Sequence, residues 1–371
     1  MLSTLPKLAD RGFVLGFFLP SLLFVLAVLG LFSSHAKVGA LLSGLVEKDL
    51  GSATFLLVGV WILAVLMLML NHPIYRLLEG YTWPVSRWRR AKKRNQQRLQ
   101  EANKKLRSLF ERMRPPEASE KALWAYGELR REIIRELPTS EREVLPTAFG
   151  NAIKAFEIYP LDVYGVDAVP MWLRLVTVIP KGFQDQIQDL RNQVDFLVNA
   201  SVFAIGVAVA ALAAALMRMP WAGLLDRSGP WPVIGMYPWI ELVVIGVALM
   251  LSRGFYRSAV ARVPAWGDLV MAAFDCYLPA LATQLGYTLP VTTKKRRAFW
   301  TAFGHMVVYR QDLEGTLPFL AEKWPKAAAA VPAPGVGDSD AAGRSSKDPK
   351  LTAVETEETD EEPDDETTKE E

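Results

Sequence analysis

Few side chains in this chain are of types that catalyse reactions or bind metals, and none stands in a recognised catalytic motif. The sequence holds no P-loop, no G-x-G-x-x-G after a strand, no H-E-x-x-H and no G-x-S-x-G. Its single cysteine, Cys276, excludes an internal disulfide and a cysteine-based zinc site, and its three histidines lie far apart. We therefore expect no catalytic residue, no metal site and no cofactor, and an enzyme acting on a small molecule is the weakest of three functional hypotheses.

One group of polar residues is set among aromatic ones in the middle of the chain. Its members are Glu157, Tyr159, Tyr164, Asp167 and Arg174. One interpretation is a small-molecule pocket in which Arg174 binds an anion. The other is structural, with tyrosine hydroxyls and carboxylates closing turns and pairing with arginine. The absence of a nucleophile motif favours the structural interpretation.

Glu241 is an acid inside an otherwise uncharged apolar stretch. An acid within a membrane-spanning helix predicts an ion or proton site. If the helix instead begins at Pro238, Glu241 lies in its first turn near the outer headgroups, where the helix dipole favours an anion. A channel or transporter using Glu241 is the second functional hypothesis. With four spans and no polar stripe along any of them, it would need oligomerisation.

Four long apolar stretches define the architecture that must position these residues. They run roughly over 12–32, 53–70, 196–217 and 231–252. A helix of about 20 apolar residues crosses a hydrocarbon core of about 30 Å. We therefore predict an all-α polytopic membrane protein with four transmembrane helices and a helical cytoplasmic module. The spans form two hairpins, 1–70 and 196–252, separated by the module at 71–195 and followed by a helical cytoplasmic extension at 253–324.

Proline positions set the expected helix ends. Pro73 is expected to end the second span, and Pro264 and Pro279 to divide the extension into short helices, because proline removes a backbone hydrogen bond inside a helix. A helix from Gly182 to Met217 is predicted to run unbroken from the module into the third span. We expect the extension to pack on 117–180, because both must bury apolar stripes on the same side of the membrane.

A strongly basic segment follows the second span. Residues 87–114 carry 12 Lys or Arg against 2 Glu. Basic residues near an anionic bilayer contribute about 1 kcal/mol each to its attraction. The alternative is a solvated charged face, and nucleic acid is not expected as a partner, because the membrane-adjacent position explains the charge. The residues predicted to contact anionic lipid headgroups are Arg87, Arg89, Arg90, Lys92, Lys93 and Arg94.

The distribution of lysine and arginine predicts the orientation. Basic residues follow the second and fourth spans, which places both termini and the module on the cytoplasmic side of a bacterial inner membrane. The tail at 325–371 is rich in small residues and then acidic, with 11 Asp or Glu against 1 Lys from Glu355 to Glu371. Low hydrophobicity and high net charge predict that this tail is disordered.

Three motifs lie between residues 71 and 175. They are N-x-P-I-x-R-L-L-E-G-Y at 71–81, P-T-x-x-G-N-x-I-x-A-x-E-x-Y-P at 146–160, and Y-G-x-D followed by W-x-R-L at 164–175. Together with the region around Asp275, they resemble a family of uncharacterised bacterial multi-span membrane proteins. The resemblance implies a bacterial membrane protein with helical cytoplasmic parts, and it brings no activity, cofactor or catalytic residue.

The preferred functional hypothesis is a non-enzymatic membrane anchor, scaffold or sensor. Four helices would hold the helical module against the inner leaflet, where it binds anionic lipid or a protein partner. Small residues four apart in the first and third spans allow close helix packing, within one chain or between the subunits of a homo-oligomer.

Overall fold

The computed structural model describes residues 11–33, 36–46, 50–113, 120–218 and 239–310. These ranges are helical and contain no strand, which confirms the predicted all-α class. The predicted disordered tail, the start of the fourth span at 231–238 and residues 311–324 of the extension lie outside the described residues. The helices are α1 (Arg11–Phe13), a π-helical turn (Val14–Phe18), α2 (Leu19–Leu31), α3 (Ala36–Val46), α4 (Leu50–Glu79), α5 (Arg89–Met113), α6 (Glu120–Glu136), α7 (Ala148–Tyr164), α8 (Ala168–Leu175), α9 (Lys181–Arg218), α10 (Trp239–Gln284) and α11 (Thr293–Tyr309).

Four helical segments are long and apolar enough to cross a membrane. They are Val14–Leu31, α4, α9 and α10. Many of their large apolar side chains are exposed, such as Phe55 at 72% and Ile240 at 75%. Such surfaces are unusual on a protein in water and normal on one in lipid. The four predicted transmembrane helices are therefore confirmed by length and composition.

Helices α4 and α10 continue through their prolines, so the expected breaks at Pro73, Pro264 and Pro279 are wrong. An interior proline removes one backbone hydrogen bond and strains the preceding turn, but it leaves the rest of the helix intact. The residues before two of these prolines, Val263 and Leu278, are fully or almost fully buried in a core shared with other helices. The burial of α10 thus outweighs the tendency of Pro264 and Pro279 to end a helix.

The largest hydrophobic core joins α7, α8 and α11 to the first part of α9 and the last part of α10. Phe149, Phe274 and Trp300 are buried at its centre. We call this assembly the body. As expected, α9 runs unbroken from the body into its apolar section, and the residues of the extension pack on those of 117–180.

A close junction between the end of α4 and the start of α7 helps to tie α4 to the body. Thr147 caps α7 by accepting a hydrogen bond from Gly150 N at 2.9 Å, and its own hydroxyl donates to Glu79 O, at the end of α4, at 3.0 Å. Gly150 packs directly on the Glu79 backbone, where a Cβ atom would collide with the carbonyl. The α4–α7 junction therefore depends on a glycine at this position.

Helices α5 and α6 form a smaller hairpin beside the body. Leu99 of α5 packs with Ile133, Leu137 and Val144 in a core of its own. Arg98 reinforces the pairing through Glu132 at 3.2 Å and Glu136 at 2.7 Å, although exposed ion pairs of this kind contribute little. Apolar packing at Leu99 therefore holds the two helices together.

Candidate functional site

The most enclosed charged group at the junction of spans and body is Asp195 of α9, which is 3% exposed. Its Oδ1 accepts hydrogen bonds from Tyr75 Oη at 2.7 Å and from Asn71 Nδ2 at 3.3 Å, both on α4. Arg191, one turn earlier on α9, places its Nε 3.9 Å from Asp195 Oδ2. A buried carboxylate needs such donors, because an unpaired charge is costly in a medium of low dielectric.

Asn199 extends this network one turn further along α9. It is fully buried, and its Nδ2 donates to Gly16 O at 2.8 Å. Gly16 lies in the π-helical turn Val14–Phe18, and single π-helical turns are frequent at functional sites. The turn packs closely on α9, and a Cβ at Gly16 would lie in ordinary contact with Asp195 Cβ, at 3.5 Å. The network thus links three of the four apolar segments.

Two buried oxygens of this network have no hydrogen-bond partner among the described residues. They are Asn71 Oδ1 and Asn199 Oδ1. If either side-chain amide were flipped by 180°, its oxygen would face the oxygen to which its Nδ2 now donates. The hydrogen bonds made by the two Nδ2 groups therefore determine where the two oxygens lie. Carboxylate and amide oxygens are the ligands that hard cations prefer.

A cavity of about 650 Å³ lies between α4, α7, α8, α9 and α10. This volume is in the range typical of small-molecule sites. Acidic, basic and aromatic side chains line it together, and the Nε1 of Trp266 is buried there without a hydrogen-bond partner among the described residues. The polar and aromatic lining consists of Tyr75, Glu79, Phe156, Glu157, Trp172, Lys181, Gln184, Asp185, Gln188, Arg191, Trp266 and Phe274.

Glu157 is the predicted polar residue that reaches this cavity. Burial raises the pKa of its carboxyl above the usual value, and the nearby Lys154 ammonium offsets part of that rise. Lys154 Nζ lies 3.8 Å from Glu157 Oε2 and 3.4 Å from Glu143 Oε2. Lys154 is therefore paired both with Glu157 in the cavity wall and with the more exposed Glu143.

The rest of the predicted polar group does not converge on the cavity. Tyr159 and Tyr164 donate to Asp275 Oδ1 on α10, at 2.9 and 2.7 Å. Burial and these hydrogen bonds raise the pKa of Tyr159 to about 12 and that of Tyr164 further. Both phenols therefore stay neutral donors near pH 7, and the pair fastens α7 to α10.

Asp167 and Arg174 have local roles in α8. Asp167 caps the helix by accepting a hydrogen bond from Val169 N at 3.1 Å, and Arg174 donates to Pro170 O at 2.8 Å. The five residues thus separate into a cavity residue, a tyrosine pair and two residues of α8. The sequence pointed to the region around Asp275 only through the family resemblance and not to a role for its carboxylate, because nothing local signals a partner more than 100 residues away.

Glu241 lies in the first turn of α10 and is 3% exposed. Its carboxylate pairs with Arg218, the last residue of α9, and Arg218 also donates to Leu31 O at 3.1 Å. Glu241 was predicted from the sequence as a candidate site residue, whereas its partner Arg218 was not.

The six basic residues predicted to contact lipid lie at the start of α5 or just before it. Arg87, Arg89, Arg90, Lys93 and Arg94 are exposed and Lys92 is half-buried. None of the six forms an ion pair within the described ranges, unlike Arg98 further along the same helix.

The sequence alone did not identify Asp195, Asn71 and Asn199 as site residues, because the first two stand at the polar edges of apolar stretches. The available signal was the spacing of Asn192, Asp195 and Asn199, which puts three polar side chains on one helix face. This short polar stripe lies at the entry of α9 into its apolar section, and Asn199 is its one member within the predicted span at 196–217.

Comparison of the chain with protein-family models, with curated proteins and with solved structures finds no match.

Proposed function

We propose that this chain is a non-enzymatic membrane anchor and scaffold or sensor, which holds its body against the inner leaflet of a bacterial inner membrane. In this orientation both termini are cytoplasmic. The start of α5 then lies at the headgroups and binds anionic lipid, and the outer faces of α5 and α6 are available to a protein partner.

The observation that carries the proposal is the unpaired basic cluster at the start of α5. It follows α4 within ten residues and stands beside Trp83 and Trp88, which are 71% and 53% exposed. Indole rings favour the headgroup region, and basic residues there are attracted to anionic lipid. Exposed tryptophans beside unpaired basic residues suit a membrane interface, where the rings lie among the headgroups and the charges meet anionic lipid.

Hydrogen exchange of the full chain in nanodiscs tests this proposal. Amides of 87–97 are expected to exchange more slowly in discs containing phosphatidylglycerol than in phosphatidylcholine alone, and added salt should reduce the difference. The variant Arg87→Gln, Arg89→Gln, Arg90→Gln, Lys93→Gln should lose it. Exchange that is the same in both lipids would contradict lipid binding by α5.

The cavity supports the sensing part of the proposal. Its walls come from α4, α9 and α10, which are long and apolar enough to cross a membrane, and from the shorter helices α7 and α8. A ligand bound there would contact both sets of helices at once. Its occupancy would therefore change how the body packs against the spans.

Ion or proton transport is a second candidate, and the Asp195 network favours it. A buried acid beside two unpartnered amide oxygens, at the entry of a spanning helix, is the type of group that transport proteins use. Flux in proteoliposomes should fall with Asp195→Asn, and Glu241→Gln provides the comparison for the site expected from the sequence. Wild-type vesicles that show no flux of protons, Na⁺ or K⁺ would exclude this candidate.

A further inference from the structure

A second hollow, of about 560 Å³, opens beside the α4–α7 junction. Its floor is apolar and includes Leu77, Leu78 and Val260. Its rim carries three arginines, Arg94 of α5 and Arg253 and Arg257 of α10. We call this hollow the arginine groove.

The charges of the arginine groove are not balanced within the described residues. No acidic residue lines it, and none of its three arginines forms an ion pair there. Other arginines in the same region are paired: Arg98 with two glutamates and Arg135 with Asp268 at 2.7 Å. Three guanidinium groups without a counter-charge create a local positive potential that favours an anion.

The spacing of two of these arginines adds a second argument. Arg253 and Arg257 stand four residues apart on α10, so they are neighbours on one helix face, and both are exposed. Like charges at this spacing destabilise a helix by a few tenths of a kcal/mol. An anion bound between them removes the repulsion, and guanidinium groups match phosphate oxygens through paired hydrogen bonds.

The position of the groove identifies the kind of anion. Arg253 follows the apolar section of α10 directly, and Trp88, which also lines the groove, is half-exposed beside it. The groove therefore lies where the spans emerge, with charge at its rim and apolar side chains at its floor. Basic pockets between spanning helices at this level suit lipid headgroups.

We infer that the arginine groove is a discrete binding site for an anionic phospholipid, whose phosphodiester lies between Arg94, Arg253 and Arg257 and whose acyl chain lies along Leu77, Leu78 and Val260. This inference rests on the proposed orientation and deepens it. It assigns one lipid to a defined site, whereas the start of α5 attracts anionic lipid collectively.

Native mass spectrometry of the full chain, with phosphatidylglycerol or phosphatidylcholine added, tests the groove. Wild type is expected to retain one phosphatidylglycerol selectively, and Arg253→Gln with Arg257→Gln should bind it at least about tenfold more weakly, since two charge-assisted contacts are lost. Arg253→Lys with Arg257→Lys keeps the charge and loses the paired geometry, so an intermediate affinity is expected. Arg130→Gln with Arg131→Gln makes the same charge change on α6 and should leave retention unaltered.

Each other outcome has a definite meaning. If the double glutamine variant retains phosphatidylglycerol like wild type while the α5 amides stay protected by anionic lipid, the groove is wrong and the proposed function stands. If wild type shows neither selective retention nor protection, both fall. If inorganic phosphate displaces the lipid at equal concentration, the site recognises free phosphate and the lipid assignment is wrong. Equal melting temperatures of the variants in phosphatidylcholine establish that they are folded.

Discussion

Asp195 shows how far the surroundings of one residue can depart from its place in the sequence. It stands at the edge of an apolar stretch, where an acid is ordinarily solvated, yet it is almost fully enclosed and receives hydrogen bonds from two residues of α4. Those partners lie more than 100 residues away, so no local pattern reveals them. The sequence showed the helix face on which Asp195 lies, but not what covers that face.

We predict that Asp195→Ala lowers the free energy of unfolding by about 2–5 kcal/mol, because it leaves the donors of Tyr75 and Asn71 buried without an acceptor. Asp195→Asn keeps one acceptor oxygen and should cost less. Thermal unfolding in detergent measures both. Asp185→Ala, on the same helix with an exposed ion pair to Lys181, is the control and should change stability by less than about 1 kcal/mol. Equal effects at 185 and 195 would contradict a network role for Asp195.

Glu157 predicts a pH dependence of stability. Burial raises the pKa of its carboxyl, so the folded protein binds this proton more tightly than the unfolded chain. The resulting stabilisation is complete below the unfolded pKa, about 4.5, and is lost as pH rises through the folded pKa. Glu157→Gln stays neutral, so its stability relative to wild type should increase with pH from about 4.5 and then level off.

Unfolding of wild type and Glu157→Gln across this pH range measures the difference directly. Glu143→Gln removes the more exposed partner of the same lysine and separates the loss of a Lys154 contact from the effect of burial. A stability difference between Glu157→Gln and wild type that does not vary with pH would show that the raised pKa has no part in folding.

At the scale of helices, apolar length was predictable and helix termination was not. The membrane-crossing helices follow from composition alone, because the bilayer imposes one minimum length on all of them. The continuity of α4 and α10 through Pro73, Pro264 and Pro279 depends on burial against other helices, which no local rule contains. The grouping of helices into the body followed in outline from the need to bury apolar stripes on the same side of the membrane.

The α4–α7 junction gives a prediction about helix packing. Gly150→Ala places a methyl group against the Glu79 backbone, which cannot move as a side chain could, so a loss of about 1–3 kcal/mol is expected. Gly127→Ala makes the same change in α6, where no atom lies within 4 Å of the new Cβ, and should be neutral or stabilising by up to about 1 kcal/mol. Chemical denaturation in detergent compares the two. If Gly150→Ala is as stable as Gly127→Ala, α4 does not pack on α7 as described.

For the whole molecule, the main feature is that the body is continuous with the spans. Helices α9 and α10 belong to both, and the 650 Å³ cavity, the Asp195 network and the arginine groove all lie where they join. The sequence predicted a membrane part and a helical module as successive segments, joined by one helix that runs unbroken from the module into the third span. It could not predict their shared interface, because that interface is built from residues of α4, α7 and α10 that are distant along the chain.

The side of the membrane on which the body lies can be tested with the chain's single cysteine. Cys276 is exposed on the part of α10 that belongs to the body. If the body is cytoplasmic, a membrane-impermeant maleimide should label Cys276 only after cells are permeabilised.

Ser43→Cys in a Cys276→Ser background probes α3, which lies between the first two spans and is exposed at this position. It should be labelled in intact spheroplasts, because the single crossing by α4 places α3 on the opposite side from the body. Labelling of Cys276 alone in intact spheroplasts would reverse the orientation. Labelling of both would mean that α4, α9 and α10, the three apolar helices between the two sites, do not all cross the bilayer.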